Sequence, residues 1–86
     1  MSNSSPSNAD LEARARAIVA KVFGIEPVRV DANASPDTIA KWDSHGHMSL
    51  VLALEQEFAV QFSDTQIYEM LNFELVVITL KELGAR

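Results

Sequence analysis

The sequence contains no cysteine. This excludes a disulfide framework, a thiolate metal site and a cysteine nucleophile, so any thiol chemistry has to come from an attached group. From Asp43 to Leu80 there is also no lysine or arginine. Residues 43–86 hold seven acids against two bases, Lys81 and Arg86, whereas residues 1–42 hold five of each. A domain with net charge −5 repels nucleic acid and anionic membrane, and basic protein surfaces are its expected counterparts. An acidic face that serves only solubility is the common alternative. The longest apolar run, Phe73 to Leu80, is broken by Glu74 and Thr79. It falls far short of the ~20 residues that span a bilayer. Met1 to Asp10 is rich in Ser and Asn and lacks the basic start and apolar stretch of a signal peptide. The expectation is a cytoplasmic protein with no membrane partner.

What is present suffices for one core. With 86 residues, 48% of them apolar, the chain reads as one globular domain. A chain this short buries roughly 60–65% of the surface its unfolded form exposes, too little for a core and a deep enclosed site together. Met1 to Asn8 are expected to be disordered, with Ser7 or Asn8 as a helix cap. Leu11, Ala15, Ile18 and Val22 recur at helical spacing, which predicts a first helix over Ala9 to Phe23, stopped by Gly24.

Gly24 to Lys41 is a long connection with Pro27 and Pro36. Ile25, Val28, Val30 and Ile39 are the residues expected to tuck it onto the core, and Ser35-Pro36-Asp37 can start a single helical turn. A second helix follows from Ser44 to Phe58. His47, Leu50, Val51, Leu54 and Phe58 form its core face, while Met48 and Leu52 make a second apolar stripe on the side of His45. Ser63-Asp64-Thr65-Gln66 matches a capping box. It opens a short third helix through Leu71, with Ile67, Met70 and Leu71 inward. Phe73, Val76, Val77, Leu80 and Leu83 line a fourth helix that Gly84 ends. The predicted fold is all-α: a four-helix bundle over residues 9–84, with a short third helix and a long loop between helices 1 and 2.

Ser44 is the compact nucleophilic group at the start of the most apolar helix. A hydroxyl there lies near unpaired N–H groups and the positive end of the helix dipole, where a phosphate ester is favoured. On position alone, a cap is the more frequent role for Asp43 or Ser44. A hydrolase reading of Ser44, His47 and Asp43 fails on geometry. One helical turn does not supply an ordered hydrogen-bond chain with an oxyanion hole, and no G-x-S-x-G elbow is present. Asp43, His45 and His47 make a weak metal set, because His45 and His47 diverge on a helix and no third ligand is near. His47 is expected to pack with its polar edge outward near the first turn, and His45 to be exposed. Asp31-x-Asn33-x-Ser35 resembles the start of a calcium loop. It has Pro36 where Gly is needed and Trp42 where a bidentate Glu is needed. The acids Glu55, Glu57, Asp64, Glu69 and Glu74 form no acid/base couple and read as a solvated rim on which a basic partner docks.

The stretch from Trp42-Asp43-Ser44-His45-Gly46-His47-Met48-Ser49 through Leu54-Glu55-Gln56-Glu57-Phe58 and Ala59-Val60-Gln61-Phe62-Ser63-Asp64 resembles the acyl carrier proteins. The shared features are an Asp-Ser attachment motif, an amphipathic helix ending in an acidic run and Phe, and a short link before a third helix. Helix order, the long first loop, the acidic bias and the lack of cysteine agree over roughly residues 9–84. Motif, helix and architecture together reverse the preference for a mere cap.

The resemblance implies that Ser44 carries 4′-phosphopantetheine, installed from coenzyme A by a phosphopantetheinyl transferase with magnesium, with Asp43 and His45 flanking the site. The arm's thiol would hold an acyl group as a thioester, and the protein would catalyse nothing itself. It would deliver the acyl group to enzymes of fatty-acid, polyketide or specialised biosynthesis, docking through Met48, Leu52, Glu55, Glu57, Asp64 and Glu69 on basic surfaces. His45 stands where the family usually has Leu, and Gly46 and Ser49 where fatty-acid carriers usually have acids, which points to a dedicated carrier for a specialised pathway. A monomer is expected. The competing reading is an unmodified, carrier-like helical adaptor that binds basic partner proteins.

Overall fold

A computed structural model describes residues 8–85. It contains four α-helices: α1 (Asn8–Phe23), α2 (Ser44–Phe58), α3 (Asp64–Glu69) and α4 (Phe73–Glu82). No strand occurs among the described residues, so the chain is all-α, as the periodicity predicts. The expected disordered start lies outside the described residues, apart from Asn8, which is the first residue of α1.

The elements stop where the sequence supplies the chemistry to stop them. Gly24 takes the left-handed conformation (φ +67°), which lets the Ile25 N–H bond the Ala20 carbonyl at 3.0 Å and close α1. Ala59 does the same for α2 at φ 54°, with the Val60 N–H on the Glu55 carbonyl at 3.3 Å. Ser63 and Gln66 form the reciprocal capping box of α3. The Asn72 side chain caps α4 by accepting from the Leu75 N–H at 2.8 Å.

Which stripe of each helix faces inward is decided by packing. In α1 the buried residues are Leu11, Ala15, Val19, Ala20 and Phe23. Ile18 and Val22, expected inward, are half-buried at the edge of the core. Both stripes are apolar, so periodicity does not rank them. Packing follows the ridge of four-residue steps, Leu11-Ala15-Val19-Phe23. In α4, Phe73, Val76, Val77 and Leu80 are buried as expected, with Leu83 at the margin. Thr79 is buried too, because its hydroxyl donates to the Leu75 carbonyl at 2.8 Å and leaves no polar atom unsatisfied. α3 ends at Glu69, two residues short of the predicted Leu71. Met70 leaves the helical conformation and enters the core, and Leu71 falls on the outside of the corner, 63% exposed.

The long connection is tied down at several points. Pro27 opens a 3-10 turn over Pro27–Arg29 that leaves Val28 exposed, not tucked in as expected. Val30 and Ile39 are buried as predicted, joined by Ala34 and Trp42. The Asp31 carboxylate accepts from the Asn33 N–H at 3.0 Å, so the pattern resembling a calcium loop is a side-chain-closed turn. Ser35 opens the expected helical turn, its carbonyl accepting from Thr38 and Ile39. The Arg16 guanidinium donates to the Val30 carbonyl at 2.7 Å and lies 5.1 Å over the Phe73 ring. The first N–H groups of α4 have no partner within their own helix. Those of Phe73 and Glu74 donate instead to the loop carbonyls of Ala34 (2.8 Å) and Ala32 (3.2 Å). The loop thus bridges α1 and α4 and delivers Trp42 and Asp43 to the start of α2.

Candidate functional site

Trp42 is the anchor. It is 1% exposed, with its ring 5.5 Å from that of Phe23 on α1. Its indole N–H donates to His47 Nδ1 at 2.9 Å. Asp43 follows in an extended conformation and caps α2, its carboxylate accepting from the Gly46 N–H at 2.8 Å and its carbonyl from the His47 N–H. Sequence alone does not choose between Asp43 and Ser44 as the cap, and in the structure the cap is Asp43. Ser44 is then the first helical residue, exposed, and its hydroxyl takes part in no hydrogen bond among the described residues. It sits at the positive end of a 15-residue helix, among N–H groups that have no intrahelical acceptor.

Gly46 is explained by space. A Cβ there would collide with the Lys41 carbonyl oxygen and press on the Phe23 ring. The last turn of the loop crosses the first turn of α2 too closely for any side chain, so an acid at this position is sterically excluded. Gly46→Ala is expected to cost about 1–3 kcal/mol, because the loop has to move to admit the methyl group. A urea titration measures the loss, and an Ala variant as stable as the wild type would contradict the close approach.

His47 does not pack with its polar edge outward, as expected from sequence. Both ring nitrogens are engaged inside the protein: Nδ1 with Trp42, and Nε2 with the Ile67 carbonyl of α3 at 2.8 Å. Neither nitrogen is available to Ser44 or to a metal. No group of three His, Asp or Glu able to hold a metal ion occurs among the described residues. His45 is exposed beside Ser44.

Ser44 opens onto a cleft of about 810 Å³ between the start of α2, Pro36 of the loop, and α3. Its apolar walls come from Met48 of α2 and from Ile67, Tyr68, Met70 and Leu71. Helical periodicity alone does not reveal this far wall. The available signal was a third helix carrying more apolar residues than so short an element can bury.

The predicted docking residues divide into two sets. Met48 and Leu52 are 47% and 57% exposed on one side of α2. Glu55 is turned back, its carboxylate accepting from the Phe62 N–H at 3.0 Å, and Glu57 pairs with Arg14 of α1 at 3.2 Å. Arg14 in turn lies over the Phe58 ring. Asp64 and Glu69 are exposed at the two ends of α3, Asp64 at the rim of the cleft. The structure brings Ser44, Asp43, Met48 and Asp64 together, and leaves Glu55 and Glu57 engaged elsewhere.

Compared with known proteins, the chain matches no protein-family profile and no curated sequence. Among the described residues, no helix is long and apolar enough to cross a membrane.

Proposed function

We propose that this protein is an acyl carrier whose Ser44 accepts 4′-phosphopantetheine. The observation that carries the reading is an exposed serine hydroxyl, committed to no other bond, at the N-terminus of α2 and opening onto a cleft of about 810 Å³. That volume lies within the range of ordinary ligand sites. His47 offers the hydroxyl no base, since both its nitrogens are engaged, so Ser44 suits a group that another enzyme modifies. In the loading step, Ser44 Oγ attacks the pyrophosphate of coenzyme A at the phosphorus bearing pantetheine. A Ser Oγ–P bond forms, the P–O bond to the other phosphate breaks, and adenosine 3′,5′-bisphosphate leaves. The hydroxyl proton passes to the transferase. On Ser44 the phosphodiester would lie at the N-terminus of α2, where the helix dipole would favour its negative charge.

The cleft walls of Met48, Ile67, Tyr68 and Leu71 are apolar enough to shelter an acyl chain carried on the arm. The chain's lack of cysteine leaves the arm's thiol as its sole thiol once it is loaded. Partners are the transferase and acyl-processing enzymes of fatty-acid, polyketide or specialised biosynthesis. With Glu55 and Glu57 engaged, α2 offers them Met48 and Leu52, and Asp64 and Glu69 on α3 are exposed acids for a basic surface. Leu52→Glu is therefore expected to raise the transferase KM about tenfold with little change in kcat, the loss of one apolar contact at an interface centre. Glu57→Gln is expected to leave KM within twofold, because its exposed ion pair is weak and points at Arg14. Equal effects of the two variants would contradict this assignment of the docking face.

The test of the whole reading is the intact mass after incubation with coenzyme A, magnesium and a broad-specificity transferase. Addition of one phosphopantetheine group is expected. No addition would sink the carrier reading and favour the unmodified adaptor, for which His45 beside Ser44 is the motivating feature.

A further inference from the structure

α3 is only six residues long, and none of them is fully buried. A helix this short does not hold itself together in water. The core grips the chain on either side of it, through Phe62 before and Met70 after. Within α3 the polar attachment to α2 is the contact between His47 Nε2 and the Ile67 carbonyl at 2.8 Å. That carbonyl is one of the groups a helix C-terminus leaves unpaired. The Leu71 N–H, which a continuing helix would direct at Ile67, bonds the Glu69 carbonyl at 2.9 Å instead. His47 therefore caps the C-terminal end of α3 from a neighbouring helix.

Trp42 determines which nitrogen does so. Its N–H needs an acceptor, and His47 Nδ1 is that acceptor, so Nδ1 is bare and the proton resides on Nε2, ready to donate. The two rings lie nearly parallel, 16° apart, and Trp42 is wedged against Phe23 in the core. One edge of the imidazole is thus clamped by the core, and the other presents a single donor to α3. Trp42, His47, Ile67 and Met70 all line the cleft beside Ser44, so the position of α3 is the position of the cleft's far wall.

We propose that His47 is a positioning residue: a latch that holds α3 against α2 through the Ile67 carbonyl and so sets the width of the cleft beside Ser44. What the cleft holds rests on the carrier reading; the latch itself does not. Closed, it keeps the cleft as seen here. Opened, it frees the α3 wall to move outward for a bulkier acyl group.

The test is amide hydrogen exchange on the full chain, residue by residue, for the wild type and two variants. In His47→Gln the amide nitrogen takes the place of Nε2 and can still reach Ile67. In His47→Asn the amide oxygen takes the place of Nδ1, accepts from Trp42 and falls short of α3. His47→Asn is expected to speed exchange of the Ile67 and Met70 amides at least tenfold while α1 and α4 stay within threefold. His47→Gln leaves the Trp42 N–H without its acceptor, so it is expected to raise exchange in all helices alike and to keep the Ile67 and Met70 amides within threefold of the change in α1 and α4. An Asn variant with unaltered α3 exchange, an Asn variant whose rise is uniform over every helix, or identical behaviour of Gln and Asn would overturn the latch. The imidazole nitrogen chemical shifts of the wild type provide a check that needs no variant. A protonated Nε2 and a bare Nδ1 are expected, and the opposite tautomer would overturn the proposal. None of these readouts needs the arm, so failure of the latch and failure of loading are distinguishable.

Discussion

Ser44→Ala is expected to abolish the mass gain entirely: after incubation with coenzyme A, magnesium and a transferase, the wild type gains one phosphopantetheine and the variant gains nothing. The effect is all-or-none because the hydroxyl oxygen becomes part of the phosphodiester, and no other atom of the residue can replace it. The same substitution is expected to leave stability within about 0.5 kcal/mol, as for exposed positions that carry no special interaction. Ser44 is exposed, its hydroxyl makes no hydrogen bond among the described residues, and the cap belongs to Asp43. Alanine is also the better helix former. Asp43→Ala gives the contrasting result. It removes the acceptor of the Gly46 N–H and costs about 0.5–2 kcal/mol in a urea titration. Loading that survives Ser44→Ala would move the site to another hydroxyl, with Ser49 of α2 the first to examine.

Trp42→Ala has the largest expected effect on stability, a loss of about 3–5 kcal/mol. A domain of this size has about 5–15 kcal/mol in total, so the variant is expected to be partly unfolded at 37 °C. Three losses combine. The side chain is 1% exposed, so its removal leaves a cavity against Phe23. His47 Nδ1 loses its donor. The end of the loop also loses the anchor that places Asp43 and Ser44. Trp42→Phe retains most of the ring volume and removes the indole N–H. It is expected to cost about 1–3 kcal/mol, the penalty for leaving a part-buried acceptor unpaired. Far-ultraviolet circular dichroism through a urea titration orders the three proteins. An Ala variant that loses less than the Phe variant would refute Trp42 as the anchor.

Much of this architecture is written locally. Gly24, the Ser63–Gln66 capping box and the apolar face of α2 each act within a few residues of themselves, and each appears where its chemistry predicts. α2 runs from Ser44 to Phe58, the range that periodicity and flanking residues indicate. The misplaced residues are those whose environment comes from a distant element. Ile18 and Val22 lose the core to Val19 and Phe23 because two apolar stripes compete and neighbouring helices choose between them. Leu71 turns outward because the chain has to reverse into α4. Val28 turns outward because the Pro27–Arg29 turn places it there. Glu55 and Glu57 read alike as acids of one short run in α2, yet one bonds the link to α3 and the other reaches α1.

Ser44 shows both halves of this division. Its place at the start of an amphipathic helix, after an acid and within an acidic half-chain that lacks cysteine, follows from residue order alone, because caps and helical faces depend on neighbours within one or two turns. That Asp43 serves as the cap is still local, three residues from the N–H it accepts, but that Gly46 has Phe23 of α1 against it and that His47 reaches the Ile67 carbonyl, 20 residues away in sequence, depends on the tertiary fold. The far wall of the cleft belongs to α3, and only packing brings α3 there. Contacts between distant segments form when the core closes, and no local pattern encodes the distance between them.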